Sequence, residues 1–196
     1  MATVVLFHSV LGLRPAVHDF AEALRGGGHE VHVPDLYAGA AFDDMDEALR
    51  YYEGIGVPEM IARTEASVAG LPKELVYAGF SNGGVSAEYL AASRPGARGA
   101  VLMHAAIPLP RIGLAEWPRG LPVQVHYAED DPWRTPDGVD TLAASVRAAD
   151  APFEFFEYPV SGHLFADGGL PEYHPESARS MTARILGFLE EAGSPS

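Results

Sequence analysis

Residues 75–84 read LVYAGFSNGG, an apolar run that leads through a glycine-rich turn into a helical pattern. Gly79 and Gly83 stand two residues to either side of Ser81, which gives the pattern G-x-S-x-G. A serine on a sharp turn between a strand and a helix needs glycine at both places, because larger side chains would clash across the turn. The stretch therefore predicts a strand, a tight turn that raises the Ser81 hydroxyl above the sheet edge, and a helix over 85–92.

Two simpler interpretations of this turn stay open at the sequence level. It could be an ordinary glycine-rich connection, or a phosphate cradle at the start of a helix. A dinucleotide-binding fingerprint would need G-x-G-x-x-G, which is absent here, and no P-loop lysine follows. The hypothesis with the most specific chemistry is a nucleophilic serine whose oxyanion is stabilised by nearby backbone N–H groups.

The rest of the chain alternates short apolar runs with amphipathic stretches of helical period. The apolar runs cover residues 3–8, 29–36, 74–80, 99–104, 122–128 and 152–158. The helical stretches include Val17 with Phe20 and Leu24, Met60 with Ile61 and Val68, Val139 with Leu142 and Val146, and a last helix over 175–192. This alternation predicts the α/β class, with a mostly parallel sheet in a three-layer α/β/α sandwich.

One domain over residues 1–192 accounts for this pattern, followed by a flexible tail at 193–196. Three segments interrupt the periodic pattern: 39–46, the proline-rich 107–122, and the glycine-rich turn 167–171. Loops that leave the carboxyl ends of parallel strands build the ligand site in such folds. Segment 107–122 is therefore a candidate substrate wall or lid, with an ordinary surface connection as the alternative.

The charge and cysteine content of the chain restrict the classes of molecule that it could bind. The 196 residues carry 13 Lys plus Arg against 27 Asp plus Glu, a net charge of −14, and Lys73 is the only lysine. This balance argues against nucleic acid and anionic membranes and favours a small-molecule substrate. Zero cysteines exclude disulfides, thiolate metal sites and a cysteine nucleophile.

The chain has neither a signal-peptide pattern nor an apolar run long enough to span a membrane, so we expect a cytoplasmic protein. The oligomeric state stays open.

A serine nucleophile needs a histidine base and a carboxylate that orients it. In hydrolases with a serine elbow, the acid and then the histidine follow the serine, on loops after later strands. Asp131 follows the run that ends at residue 128, and His163 follows the run that ends at residue 158. The order Ser81, Asp131, His163 fits this requirement, and Asp130 is the rival acid.

The remaining histidines give no metal site. His29 and His32 are three apart on a predicted strand, so their side chains point to opposite faces. His126 is expected to be a hydrogen-bonded core residue. His8 and His104 lie near the carboxyl ends of predicted strands, where either could line the pocket. We therefore expect neither a metal nor a cofactor.

Taken together, the chain resembles the dienelactone hydrolase family, a minimal branch of the α/β-hydrolase fold without a cap domain. The resemblance is carried by the blocks LFHSVLGL (6–13), VPDLYAG (33–39), GFSNGG (79–84), AEDDPW (128–133) and YPVSGHLF (158–165). It implies that Ser81 is the nucleophile, His163 the general base and acid, and Asp131 the orienting carboxylate. It also implies an oxyanion hole made by the backbone N–H groups of Val10 and Asn82.

Three positions depart from the family pattern. The founding members have cysteine where this chain has Ser81, glutamate where it has Ser9, and a substrate-binding arginine where it has Asp167. A carboxylate at 167 would repel an anionic substrate. The prediction is a serine hydrolase that cleaves a carboxylic ester or lactone of a small neutral or cationic molecule in a shallow pocket. The alternatives are acyl transfer to another acceptor, peptide-bond cleavage, or a non-catalytic binding module derived from a hydrolase.

Overall fold

A computed structural model describes residues 1–194 and contains one six-stranded parallel sheet. The strand order across the sheet is β2-β1-β3-β4-β5-β6. The strands are β1 Thr3–Phe7, β2 Glu30–His32, β3 Val76–Phe80, β4 Gly99–Met103, β5 Val123–Asp130 and β6 Phe153–Ser161. The helices are α1 Pro15–Gly26, α2 Met45–Ile55, α3 Val57–Val68, α4 Asn82–Ser93, α5 Gly138–Ala148 and α6 Pro175–Ala192, with a 3₁₀ helix at Leu109–Ile112.

The core lies in two layers, one on each face of the sheet, because successive strand residues point to opposite faces. In β1, Val4 and Leu6 pack with α1 and α6, whereas Val5 and Phe7 pack with α3, α4 and α5. The central strands are buried on both faces, as parallel strands covered by helices require. The predicted three-layer α/β/α sandwich is confirmed.

Two local predictions are wrong. The strand expected over 29–36 ends at His32, because Pro34 has no N–H to donate and the Asp35 carboxylate turns the chain by accepting bonds from the N–H groups of Tyr37 (2.8 Å) and Gly39 (2.6 Å). Helix α2 is absent from the sequence prediction. It begins after Asp44, whose side chain caps it by accepting the N–H of Glu47.

The carboxyl ends of β3, β5 and β6 determine where the candidate site residues lie. β5 and β6 run further than predicted and still pair at Asp130 and Ser161, so the residues that follow them emerge at the same edge of the sheet as the turn after β3. No helix within residues 1–194 combines the length and apolar character needed to cross a membrane.

The predicted tail lies only partly in the structure. Gly193 and Ser194 still donate backbone hydrogen bonds into the last turn of α6, whereas residues 195 and 196 lie outside the described residues. The flexibility of the tail stays a prediction.

Candidate active site

Ser81 lies on a strained turn between β3 and α4. Its backbone has φ 51° and ψ −117°, a left-handed conformation that costs a non-glycine residue of order 1–3 kcal/mol. The Ser81 N–H donates to the carbonyl of Met103 on the neighbouring strand (2.7 Å), which holds the turn in place. The helix begins directly at Asn82, three residues earlier than the sequence predicted.

Gly79 and Gly83 are required because other parts of the backbone lie too close to them to leave room for a Cβ. A Cβ on Gly79 would overlap the carbonyl of Gly83, and a Cβ on Gly83 would overlap the carbonyls of Phe7 and His8. The helix therefore starts in direct contact with the end of β1. This contact brings the β1–α1 loop, which contains Val10, beside the serine.

A continuous chain of hydrogen bonds joins Ser81, His163 and Asp131. The Ser81 hydroxyl lies 2.6 Å from Nε2 of His163, and Nδ1 of His163 lies 2.8 and 2.9 Å from the two carboxylate oxygens of Asp131. Because the carboxylate only accepts, Nδ1 carries the ring hydrogen and Nε2 is left to accept from the serine. With hydrogen on Nδ1, Nε2 of His163 is free to take the proton of the Ser81 hydroxyl, as a serine nucleophile requires.

Local contacts fix the two partners of the serine. Asp131 is buried, and Oδ1 also accepts the N–H of Trp133 (2.9 Å). Gly162, at φ 100°, makes the turn that presents His163 after β6. Asp130 is exposed and pairs along the strand with Ser161, so it is Asp131 and not its neighbour that reaches the histidine.

Two backbone N–H groups lie open beside the serine. Among the described residues, the N–H groups of Val10 and Asn82 donate no hydrogen bond to a protein acceptor, and both residues line the cavity that contains Ser81. Asn82 is the first residue of a 12-residue helix, whose positive end also favours an anion there. The Ser9 hydroxyl orders the other loop by accepting the N–H of Leu11 (3.2 Å).

The cavity above Ser81 has a volume of about 220 Å³ and a largely apolar lining. Its walls include Val10, Met45, Leu49, Ile107 and Trp133. Ile107 and Arg111 come from segment 107–122, so this segment forms a wall of the cavity rather than an unrelated surface loop.

Of the two histidines expected near the pocket, only His104 lines it. Its ring is buried with neither nitrogen hydrogen bonded, and this burial lowers its pKa well below the usual value, so the ring is neutral. It packs edge-on against Phe165 and 5.6 Å from the His163 ring. His104 therefore places an uncharged ring beside His163 at the wall of the cavity.

His8 and His126 have structural positions. His8 accepts the N–H of Leu36 at Nε2 (3.1 Å) and donates from Nδ1 to the carbonyl of Ser9 (2.8 Å), which fixes the loop after β1. His126 bonds to Tyr158 and Gln124 inside the core, and the core prediction for this residue is confirmed.

Asp167 does not face the cavity. Its carboxylate accepts from Nε of Arg14 at 2.8 Å, and Arg14 also pairs with Asp43 and donates to the carbonyl of Phe42. The buried Arg14 guanidinium is therefore shared between two carboxylates, those of Asp43 and Asp167. The repulsion of anionic substrates expected from Asp167 stays a prediction, and the carboxylate lies in a salt bridge outside the lining of the cavity above Ser81. The charged side chain that does line the cavity is Arg111, which the sequence analysis did not single out.

A second residue missed at the sequence level is Glu88 on α4. Its side chain is fully buried, with Oε2 accepting the N–H of Ile107 (3.0 Å) and Oε1 without a hydrogen-bond partner. Burial raises the pKa of Glu88 from 4.5 to about 8, so the side chain is a neutral carboxylic acid at pH 7. It anchors the start of segment 107–122 to the helix that carries the elbow.

Glu88→Gln is expected to remove a pH dependence of stability. The folded pKa of about 8 lies above the unfolded value of 4.5, so the wild-type free energy of unfolding falls as pH rises through this window. At about 1.4 kcal/mol per pKa unit the loss reaches at most about 5 kcal/mol above pH 8. Glutamine keeps the acceptor for Ile107 and cannot ionise.

Urea unfolding at pH 5 and pH 9 checks this expectation. The variant should be more stable than wild type at pH 9 and similar to it at pH 5, while Glu53→Gln, at an exposed position on α2, should follow wild type at both. Equal pH slopes for wild type and Glu88→Gln would rule out the buried acid.

Within the part of the chain that the structure describes, no group of three or more His, Asp or Glu side chains is placed to hold a metal ion.

Comparison with known proteins identifies the family. The model of the dienelactone hydrolase family matches residues 1–193, which is nearly the whole chain. The chain belongs to the dienelactone hydrolase family. As a member of this family it is a hydrolase that acts on ester or lactone bonds.

Relatives within the dienelactone hydrolase family extend along most of the chain. A carboxymethylenebutenolidase of Rhodococcus opacus is 30% identical over 204 residues, covering 96% of this chain and 80% of that protein. A putative dienelactone hydrolase structure from Klebsiella pneumoniae superimposes with a TM-score of 0.74 at 22% identity, covering 97% of this chain and 87% of that one. A dienelactone hydrolase-like promiscuous phosphotriesterase, P91, from metagenomic libraries has a TM-score of 0.78 at 18% identity, with 98% and 87% covered. The resemblance inferred from the sequence blocks is confirmed.

Proposed function

We propose that this protein hydrolyses a neutral carboxylic ester or lactone through an acyl-enzyme on Ser81. The observation that carries the proposal is the hydrogen-bond chain from Asp131 through His163 to Ser81, which ends at an apolar cavity. All three members are in contact, whereas a binding module derived from a hydrolase would have no need to keep them aligned.

In the first half of the reaction, the Ser81 oxygen attacks the ester carbonyl while its proton passes to Nε2 of His163. The carbonyl oxygen becomes an oxyanion that accepts from the N–H groups of Val10 and Asn82. Asp131 stabilises the imidazolium that forms. His163 then gives the proton to the leaving alkoxide, the C–O bond breaks, and the acyl group stays on Ser81.

In the second half, water takes the place of the alcohol. His163 removes a proton from this water, which attacks the acyl carbon and forms a second oxyanion in the same position. The proton returns to the Ser81 oxygen as the carboxylic acid leaves. For a lactone, the alcohol and the acid are parts of one product molecule.

The lining of the cavity supports a neutral substrate. Arg111 lies at the exposed edge of the cavity and is paired with Asp137 at 3.8 Å, so its charge is partly compensated. Asp167, which suggested tolerance of cations, is paired with Arg14 elsewhere. The apolar walls favour uncharged groups on both sides of the ester.

Covalent inhibition of ester hydrolysis tests the proposal. The protein should turn over p-nitrophenyl acetate and lose this activity in step with incorporation of one fluorophosphonate per chain, with the ester protecting against the label. Turnover that survives full labelling, or a protein that neither reacts with the probe nor hydrolyses the ester, would contradict a serine hydrolase.

A further inference from the structure

A second cavity lies next to the one above Ser81. It has a volume of about 270 Å³ and shares four lining residues with the catalytic cavity, namely Tyr52, Asn82, Val85 and Arg111. The two spaces therefore adjoin at a shared wall, and we call the second space the side lobe. The shallow pocket expected for so short a chain is extended by this lobe.

The lining of the side lobe is apolar. Val57, Met60 and Ile61 enter it from α3, and Ile112 enters from the 3₁₀ helix. Val57 is 57% exposed and forms an apolar rim of the lobe at the surface.

Three of the polar side chains at the α3–α4 wall of the lobe, Thr64, Ser86 and Tyr89, are hydrogen bonded to protein partners. The Thr64 and Ser86 hydroxyls lie 3.2 Å apart and hydrogen bond to each other, and the Tyr89 hydroxyl donates to Glu65. At this wall a ligand would meet mainly methyl and methylene groups, and the remaining polar side chains, Tyr52, Asn82 and Arg111, lie where the lobe meets the cavity above Ser81.

The position of the lobe decides which half of an ester enters it. His163 must protonate the leaving alcohol, so the alcohol lies on the His163 side of the reacting carbon. The side lobe contacts Asn82, whose N–H faces the oxyanion, but neither His163 nor Trp133 lines it. It therefore lies on the side of the acyl group.

We propose that the side lobe binds the acyl chain of the substrate and that the protein prefers esters of medium-length fatty acids over esters of acetate. The inference rests on the proposed function, because it assigns the acyl half of the ester that Ser81 attacks. Each methylene buried in the lobe contributes about 0.8 kcal/mol, or about a fourfold gain in kcat/KM. The four added methylenes between acetate and hexanoate give a preference of about 10²-fold.

The test compares kcat/KM for p-nitrophenyl acetate, butanoate and hexanoate in wild type, Ile61→Trp and Ala62→Trp. Indole at position 61 fills the lobe, whereas position 62 is exposed on the same helix and serves as the matched control. The hexanoate-to-acetate ratio should be about 10² in wild type and Ala62→Trp and should fall to near one in Ile61→Trp. Ile112→Trp fills the lobe from the opposite wall and should give the same loss.

Several results would overturn the proposal. A flat ratio in wild type, or a preference that survives both tryptophan variants at 61 and 112, would exclude the side lobe as the acyl site. Faster hydrolysis of hexyl acetate than of ethyl hexanoate would place the alcohol there instead. Serine-dependent turnover of acetate with a flat ratio rejects only the lobe, whereas turnover that does not depend on Ser81 rejects the proposed function itself.

Discussion

Ser81→Ala is expected to lower kcat for p-nitrophenyl acetate by roughly 10⁴-fold or more, because no other group is placed to accept the acyl chain beside His163. Alanine keeps the backbone of the elbow, so the open N–H groups of Val10 and Asn82 remain. They should leave a residual rate above that of water, since oxyanion donors act without the nucleophile.

Steady-state kinetics with a matched serine variant checks this expectation. Ser93 lies at the exposed end of the same helix, where its hydroxyl bonds only to the carbonyl of Tyr89, so Ser93→Ala should keep wild-type turnover. Circular dichroism should show both variants folded. A Ser81→Ala protein that retains more than about a tenth of wild-type kcat would remove Ser81 from the mechanism.

The second large loss of kcat is expected when Asp131, the carboxylate bonded to His163, is replaced. Asp131→Asn should lower kcat by about 10⁴-fold, because the asparagine amide can donate to Nδ1 and so favours the tautomer with hydrogen on Nε2. A ring in that tautomer cannot accept the Ser81 proton. The loss should appear in kcat rather than in the binding of substrate, since Asp131 does not line the cavity.

Asp130→Asn supplies the control for this change. The two aspartates are adjacent, but only Asp131 contacts His163, whereas Asp130 is exposed at the end of β5. Asp130→Asn should keep kcat within about twofold of wild type. The reverse order of effects, with Asp130→Asn the more damaging, would mean that the loop adopts another arrangement during catalysis.

The sequence could predict the layers of the fold and the order of the catalytic groups because both depend on local patterns. Apolar runs of strand length alternate with stretches of helical period. The glycines around Ser81 are needed because a Cβ there would overlap neighbouring backbone atoms within the same turn or at the end of β1. The early end of β2 was also readable in principle. Pro34 and Asp35 are turn residues, and their chemistry ends the strand although the apolar pattern continues to Leu36.

Other features depend on contacts between distant parts of the chain. Arg14 and Asp167 are 153 positions apart, and nothing near either residue indicates that they pair. Glu88 reads as an ordinary polar residue of α4, and its burial follows only from the position of Ile107. The side lobe forms where α3, α4 and the 3₁₀ helix meet, so its volume depends on packing that periodicity alone does not determine.

Trapping the acyl-enzyme tests the central claim most directly. The protein is mixed with p-nitrophenyl butanoate, quenched in acid during the first turnovers, digested, and its peptides are analysed by mass spectrometry. The account predicts one butanoyl group on the peptide that contains Ser81, located on that serine by fragmentation and absent from Ser81→Ala. A butanoyl group on another residue that is acylated equally in Ser81→Ala would contradict a Ser81 acyl-enzyme.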